Sequence, residues 1–179
     1  MKILTGIQTA FLVSQESKCV SYKVGAVIEL NDSIISMGVN GTASGTINPD
    51  EYAISRGWAI YDKGVVGLFE EHSHEYSKWA NERILHAEQN AILFAAKNGR
   101  AINNATMYVT MSPCSQCAKL IAQSGIKTLV YVHEYTGSQD DWKKYLSDAG
   151  VNVIHVSDDK LKLLNINNIV TKVPRYRYK

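Results

Sequence analysis

Apolar and polar positions follow two rhythms along this chain. Ile3, Ile7, Ala10, Phe11 and Ser14 recur at helical spacing, which predicts a first helix over 3–18 with one apolar stripe. The rhythm then becomes that of strands. Lys23 to Leu30 is rich in β-branched residues, Asn31-Asp32 reads as a turn, and Ser33 to Val39 reads as a second strand, so the pair forms a hairpin. Gly25, inside the first strand, marks a close approach by another backbone or by a ligand. Residues 40–50 form a loop rich in turn residues. Asn48-Pro49 reads as a helix cap and first helical residue, opening a segment that carries Tyr52, Ile54, Trp58 and Ile60. Between 62 and 80 the pattern fades: Gly64 and Gly67 flank a short apolar piece, and His72 and His74 sit among acids. This stretch reads as an insertion.

The rhythm returns with a helix from about Asn81 or His86 to Lys97. Ala87, Ala91, Phe94 and Ala95 form its packing face, and Asn98-Gly99 stops it. Thr106 to Met111 reads as a strand, and Ser112-Pro113 as the cap and opening of a helix that runs to Ser124, with Gly125 ending it. A strand from Lys127 to Val132, a helix from Asp140 to Ala149 and a strand from Val151 to Val156 follow. Helices alternating with strands imply a parallel or mixed sheet with helices on both faces. From about 160 the chain is a polar, basic tail.

The 179 residues suffice for one domain with a real core, and the expected unit is the whole chain, 1–179. No apolar run approaches the ~20 residues of a membrane span, and the expected compartment is the cytoplasm. A net charge of +2 is too small to point to a nucleic-acid partner. Four basic residues, Lys172, Arg175, Arg177 and Lys179, close the chain and leave the remainder slightly acidic. The three cysteines, Cys19, Cys114 and Cys117, do not make a disulfide framework; metal binding in a reducing compartment fits them better.

The chemistry concentrates in His86-Ala87-Glu88 and Pro113-Cys114-Ser115-Gln116-Cys117. One His and two Cys supply three metal ligands, the number that leaves a catalytic zinc an open position. Cys114 and Cys117 share a helix face near a helix start, where the dipole favours thiolates. Glu88 remains over as a base for a zinc-activated water. The backbone N–H of Ala87 and the backbone carbonyl of Ser112 are the expected contacts to a bound base. His-x-Glu followed by Pro-Cys-x-x-Cys is the pattern of zinc nucleobase deaminases. The blander reading of Cys-x-x-Cys is a structural zinc. His72, His74, His133 and His155 read as surface or core residues, and Cys19 as a small buried one. Tyr135 reads equally as packing or as a substrate contact.

Longer stretches carry a resemblance. Phe11 to Cys19, Lys23 to Glu29, Asn40-Gly41, His86 to Gly99, Ala105 to Cys114 and Ala122 to Lys127 resemble the zinc-dependent cytidine and deoxycytidylate (dCMP) deaminases, above all those of T-even-like phages. The resemblance implies a three-layer α/β/α sandwich around a mixed sheet of about five strands. It implies hydrolysis of dCMP to dUMP and ammonia, feeding thymidylate synthesis. It further implies a homohexamer activated by dCTP and inhibited by dTTP, the nucleotides acting with Mg2+. Asn40 would then contact the deoxyribose and Tyr135 the phosphate end. Gly41 and Thr42 would belong to an effector site, with Phe94 and Lys97 affecting regulation and assembly. A second, structural zinc of the phage enzymes is not expected, because Val20 follows Cys19 and Pro49-Asp50 occupies the loop; one zinc per subunit is expected. Lys18 and Lys23 are the candidates for a phosphate clamp. The alternatives are a deaminase of another cytosine or adenine substrate, as nucleoside or RNA base, an inactive homologue, and a zinc-stabilised module binding nucleic acid through the basic tail.

Overall fold

The computed structural model describes residues 1–135, 141–162 and 177–178. In chain order the elements are α1 (Ile3–Ser14), β1 (Gly25–Leu30), β2 (Ser33–Val39), β3 (Gly41–Thr42), α2 (Pro49–Ser55), β4 (Ala59–Asp62), β5 (Val65–Phe69), α3 (Ser73–Arg83), β6 (Ile84–Leu85) and α4 (Ala87–Lys97). Then come β7 (Thr106–Met111), α5 (Ser115–Gln123), β8 (Thr128–His133), α6 (Trp142–Asp148), β9 (Asn152–His155), α7 (Asp158–Leu161) and β10 (Arg177–Tyr178).

The expected hairpin forms because Asn31 and Asp32 both accept positive φ, 52° and 61°, the geometry of a tight turn that matches strand twist. The main sheet has the order β2-β1-β7-β8-β9. β1 runs antiparallel to both β2 and β7, whereas β7-β8 and β8-β9 are parallel, joined through α5 and α6. The sheet is therefore mixed and five-stranded. Alternation along the strands divides the core. Val27, Tyr108 and Val130 face α1, against Ile7, Ala10 and Phe11. Ala26, Ile28, Met107, Val109 and Leu129 face the other way, against Ala87 and Ala91 of α4, Ala118 and Ile121 of α5, and Trp142 and Leu146 of α6. Helices cover both faces, and the architecture is the three-layer sandwich. No helix among the described residues is long and apolar enough to cross a membrane.

Several boundaries differ from those predicted. The first helix stops at Ser14, whose hydroxyl donates back to the Phe11 carbonyl, and Ser17 instead reaches Asn40. Its predicted stripe loses Ile3, which is exposed. Asn81 belongs to α3, not to the helix after it. Phe94 leaves the packing face of α4 and is 48% exposed, whereas the small residues Ala87, Ala91 and Ala95 are buried. Cys114, not Ser112, caps α5. The unread stretch is ordered: β4 and β5 form a hairpin across Lys63-Gly64, again with two positive φ angles, and α3 follows. With α2 they enclose a small core of their own, made of Val20, Ala53, Ala59, Leu68 and Tyr76. Most of the basic tail lies outside the described residues, as does Asp140; β10 pairs in parallel with Leu68 and Phe69 of β5.

Gly25 and Gly38 set how closely the helices approach. A Cβ on Gly25 would collide with the Ala10 carbonyl, which is the backbone approach expected there. A Cβ on Gly38 would collide with the Ala87 carbonyl and the Ala91 nitrogen. Gly38→Ala must push the start of α4 off β2. Overpacking of this kind costs about 1–3 kcal/mol, read as a lowered urea midpoint. Gly41→Ala meets open space and should change stability by less than about 0.5 kcal/mol.

Candidate active site

Two helix starts converge at one end of the sheet. β7 ends at Met111, and the Ser112 N–H continues its ladder by donating to the His133 carbonyl at 2.7 Å. The chain turns at Pro113 and enters α5 with Cys114 as cap, leaving Cys117 in the first turn and fully buried. β6 pairs with β3 and delivers His86 as the cap of α4. The His86 N–H donates to Gln89 Oε1 at 2.7 Å, which fixes that entry.

The ligand atoms meet accordingly. His86 Nδ1 lies 3.6 Å from Cys114 Sγ and 3.4 Å from Cys117 Sγ, and all three atoms fall within 4.8 Å of one another. Tetrahedral zinc with Zn–S bonds of about 2.3 Å and Zn–N bonds of about 2.0–2.1 Å requires S···N separations of about 3.6 Å. The donor set and its spacing fit zinc, with a fourth position left over. The hydrogen bond between the two sulfurs drops Cys114 to about 3 and raises Cys117, with burial raising it further. The pair thus holds one thiolate readily and offers a second when a cation takes the place of the shared proton. Hydrogen bonding to Cys114 raises His86.

Glu88 is the second residue of α4 and 3% exposed. Its position in the first turn lets a side chain two residues from His86 reach the same site. Burial pushes its carboxyl up to about 7, opposed by the charge of His86. A carboxyl poised there can both take and return a proton near neutral pH.

His86, Glu88 and Cys114 line a cavity that also takes in Asn40, Ala87, Ser112 and Tyr135, so the structure brings the predicted substrate contacts together. Ser112 Oγ accepts from the Tyr135 N–H at 2.8 Å, which ties that residue to the catalytic edge. The Asn40 amide is largely committed: its oxygen accepts from Ser17 Oγ and the Val24 N–H, and its nitrogen donates to the Tyr22 carbonyl. One N–H remains for a ligand.

Other predicted residues lie elsewhere. Gly41, Thr42 and Phe94 line a separate groove along the edge strand β2; Lys97 is outside its lining, with Nζ 6.0 Å above the Phe94 ring. Neither proposed phosphate clamp reaches the catalytic cavity. Lys18 lines the β2 groove, and Lys23 Nζ donates to the Gln15 carbonyl. His72 stacks on Trp58, His133 sits edge-on to Phe11, and His155 bonds the Val132 carbonyl, all away from the metal ligands. Cys19 is the exception: it is buried beside the Asn40 carbonyl and lines the catalytic cavity. The sequence reading missed a whole wall of the cavity, the face of α3 that carries Ser73, Tyr76, Ser77, Ala80 and Asn81. Its signal was a polar stripe at intervals of four beside an apolar one, hidden by surrounding acids and histidines.

Comparison with known proteins agrees with this geometry. The deoxycytidylate deaminase of Enterobacteria phage T4 is 47% identical, over 94% of this chain and 97% of that protein. The deoxycytidylate deaminase of Mycobacterium phage D29 is 35% identical over 72% of this chain and 91% of its own. The crystal structure of dCMP deaminase from cyanophage S-TIM5 in complex with dCMP and dUMP superposes with a TM-score of 0.63 at 34% identity, covering 84% of this chain and 93% of that one. The family described as the cytidine and deoxycytidylate deaminase zinc-binding region matches residues 2–133, and the chain belongs to that family.

Proposed function

We propose that the chain is a zinc-dependent deaminase that hydrolyses dCMP to dUMP and ammonia, the whole chain acting as one cytoplasmic unit that supplies dUMP for thymidylate synthesis. The observation that carries this is the triangle of His86, Cys114 and Cys117 with the buried Glu88 beside it, in a chain 47% identical to a phage deoxycytidylate deaminase. His86, Cys114 and Cys117 would hold the zinc. Once bound, the ion supplies Lewis acidity that lets a water lose its proton near neutral pH. Glu88 takes that proton and gives it to the ring nitrogen next to the amine-bearing carbon. It then takes the proton left on the added oxygen and, as the C–N bond breaks, gives it to the departing amine. A carbon–oxygen bond replaces the carbon–nitrogen bond, so dCMP and water become dUMP and ammonia. The Ala87 N–H, unpaired as in any first helical turn, and the Ser112 carbonyl orient the ring.

The groove lined by Gly41, Thr42 and Phe94 holds neither the metal ligands nor Glu88 and meets the catalytic cavity at Asn40, which supports a regulatory role. dCTP as activator and dTTP as inhibitor, each with Mg2+, bind there in a homohexamer, and Phe94 with Lys97 above its ring marks the subunit-facing side.

The test is ammonia release from dCMP and from deoxycytidine, with and without dCTP. We expect dCMP to be preferred by at least tenfold in kcat/KM and dCTP to raise the rate. Equal kcat/KM on the two substrates would sink the nucleotide-specific reading, and an unaltered rate would sink the regulatory one.

A further inference from the structure

We propose that helix α3 is the wall that reads the sugar–phosphate half of the nucleotide, with Asn81 set against the sugar and Ser73 against the 5′-phosphate. This assignment rests on the deamination reading of the same cavity. Ser73, Ser77 and Asn81 are spaced four apart and so share one face of α3. All three line the cavity that holds His86, Glu88 and Cys114. Tyr76, on the adjoining stripe, is buried in the small core with Leu68 and Ala53 and anchors the helix in that orientation.

The polar groups of this wall differ in what they have left to offer. Ser77 Oγ donates to the Ser73 carbonyl at 2.7 Å, so its proton is committed within the helix. The Ser73 hydroxyl and the Asn81 amide line the cavity with no protein partner among the described residues. On the facing wall the Asn40 amide keeps one N–H, and Ser112 Oγ accepts from the Tyr135 N–H and keeps its own proton. No lysine or arginine is among the described residues that line the cavity. Among the described lining residues, neutral donors are what the cavity offers to the part of the substrate that does not react.

Position along the helix sets the order. Asn81 lies at the end of α3 that leads through β6 to His86, and Ser73 lies two turns away, about 12 Å along the axis. A nucleotide whose ring is fixed at the metal ligands extends away from them, sugar first and phosphate last. That places Asn81 level with the sugar and Ser73 level with the phosphate.

The experiment measures steady-state kinetics on dCMP, with deoxycytidine as a competitive inhibitor, in the zinc-loaded full chain. Ser73→Ala should raise KM for dCMP about tenfold, as expected for a hydrogen bond to a charged group, with kcat within twofold and the deoxycytidine Ki unchanged. Ser73→Asp should raise KM further by repulsion, again without moving the deoxycytidine Ki. Asn81→Ala should weaken dCMP and deoxycytidine by the same factor, roughly fivefold. Lys78→Ala, exposed on α3 and outside the cavity, should change neither. A double variant, Ser73→Ala with Asn81→Ala, that keeps the wild-type KM for dCMP overturns the proposal while leaving the deaminase reading intact. Equal loss of dCMP and deoxycytidine binding in Ser73→Ala overturns the phosphate assignment. Wild-type protein that fails to deaminate dCMP overturns the reading of the site and this assignment with it.

Discussion

Glu88→Gln should lower kcat on dCMP by about a thousandfold, within the 10²–10⁴ range of general acid–base catalysis. Glu88 is 3% exposed in the first turn of α4, so its side chain is held by the same packing that seats Ala87 and Ala91 on β2. Gln has the same shape and keeps the hydrogen-bonding reach, so neither cavity nor strain follows. What disappears is a group that accepts a proton. Burial pushes the carboxyl up to about 7, and a carboxyl there is available as base before the addition step and as acid after it. The amide is neither. Because the three clustered ligand atoms belong to His86, Cys114 and Cys117, zinc content should stay at the wild-type level. The measurement pairs turnover with metal analysis and a urea midpoint. Near-normal turnover in the variant would remove Glu88 from the chemistry, and lost zinc would make it a ligand.

The same residues show what the sequence made legible and what it hid. His86, Glu88, Cys114 and Cys117 could be read because their spacing is local: each half of the motif needs only a helix start, and strand and helix periodicity put both starts at one sheet end. The alternation of helices with strands from residue 86 likewise identified a sheet with helices on both faces, and the structure divides Val27, Tyr108 and Val130 from Ala26, Met107 and Leu129 accordingly. Cap positions were harder. Ser112-Pro113 has the better local propensity, yet Cys114 caps α5 because Ser112 is drawn into the ladder with His133 and into a bond with Tyr135. The face of α4 was misjudged for a related reason. Phe94 fits an apolar stripe, but Gly38 lets the α4 backbone at Ala87 and Ala91 approach β2 closely, and the Phe94 side chain is left largely exposed. The α3 wall was hidden because its order depends on distant partners: Tyr76 is buried by Val20, Ala53 and Leu68, residues from three other segments. No local pattern reports such packing. Asn40 was assigned a ligand role from resemblance, and the structure adds that most of its amide is used to join Ser17, Tyr22 and Val24.

Cys117→Ala should abolish both turnover and the response of stability to zinc, and this second effect separates a ligand from a base. Cys117 is fully buried, and its Sγ sits 3.4 Å from His86 Nδ1, at the distance zinc imposes on two of its ligands. Removing it leaves two ligands from adjoining helix starts, too few to hold the ion. A ligand that binds only the folded state stabilises it by about 4 kcal/mol at a thousand times its Kd. For a domain of this size that corresponds to a rise in Tm of roughly 10 °C. Wild-type protein and Glu88→Gln should both show this rise when zinc is restored after chelation, with one zinc bound per chain. Cys117→Ala should show none, at any zinc concentration that leaves the unfolded chain unbound. A variant that kept the shift would place the ion elsewhere, and a second zinc per chain would mean that Cys19 or the histidines outside this cluster serve as ligands. Loss of turnover without loss of the shift would assign Cys117 to positioning instead of coordination. The two substitutions together thus divide the site: one removes the proton carrier and leaves the metal, the other removes the metal and with it the reason the two helix starts converge.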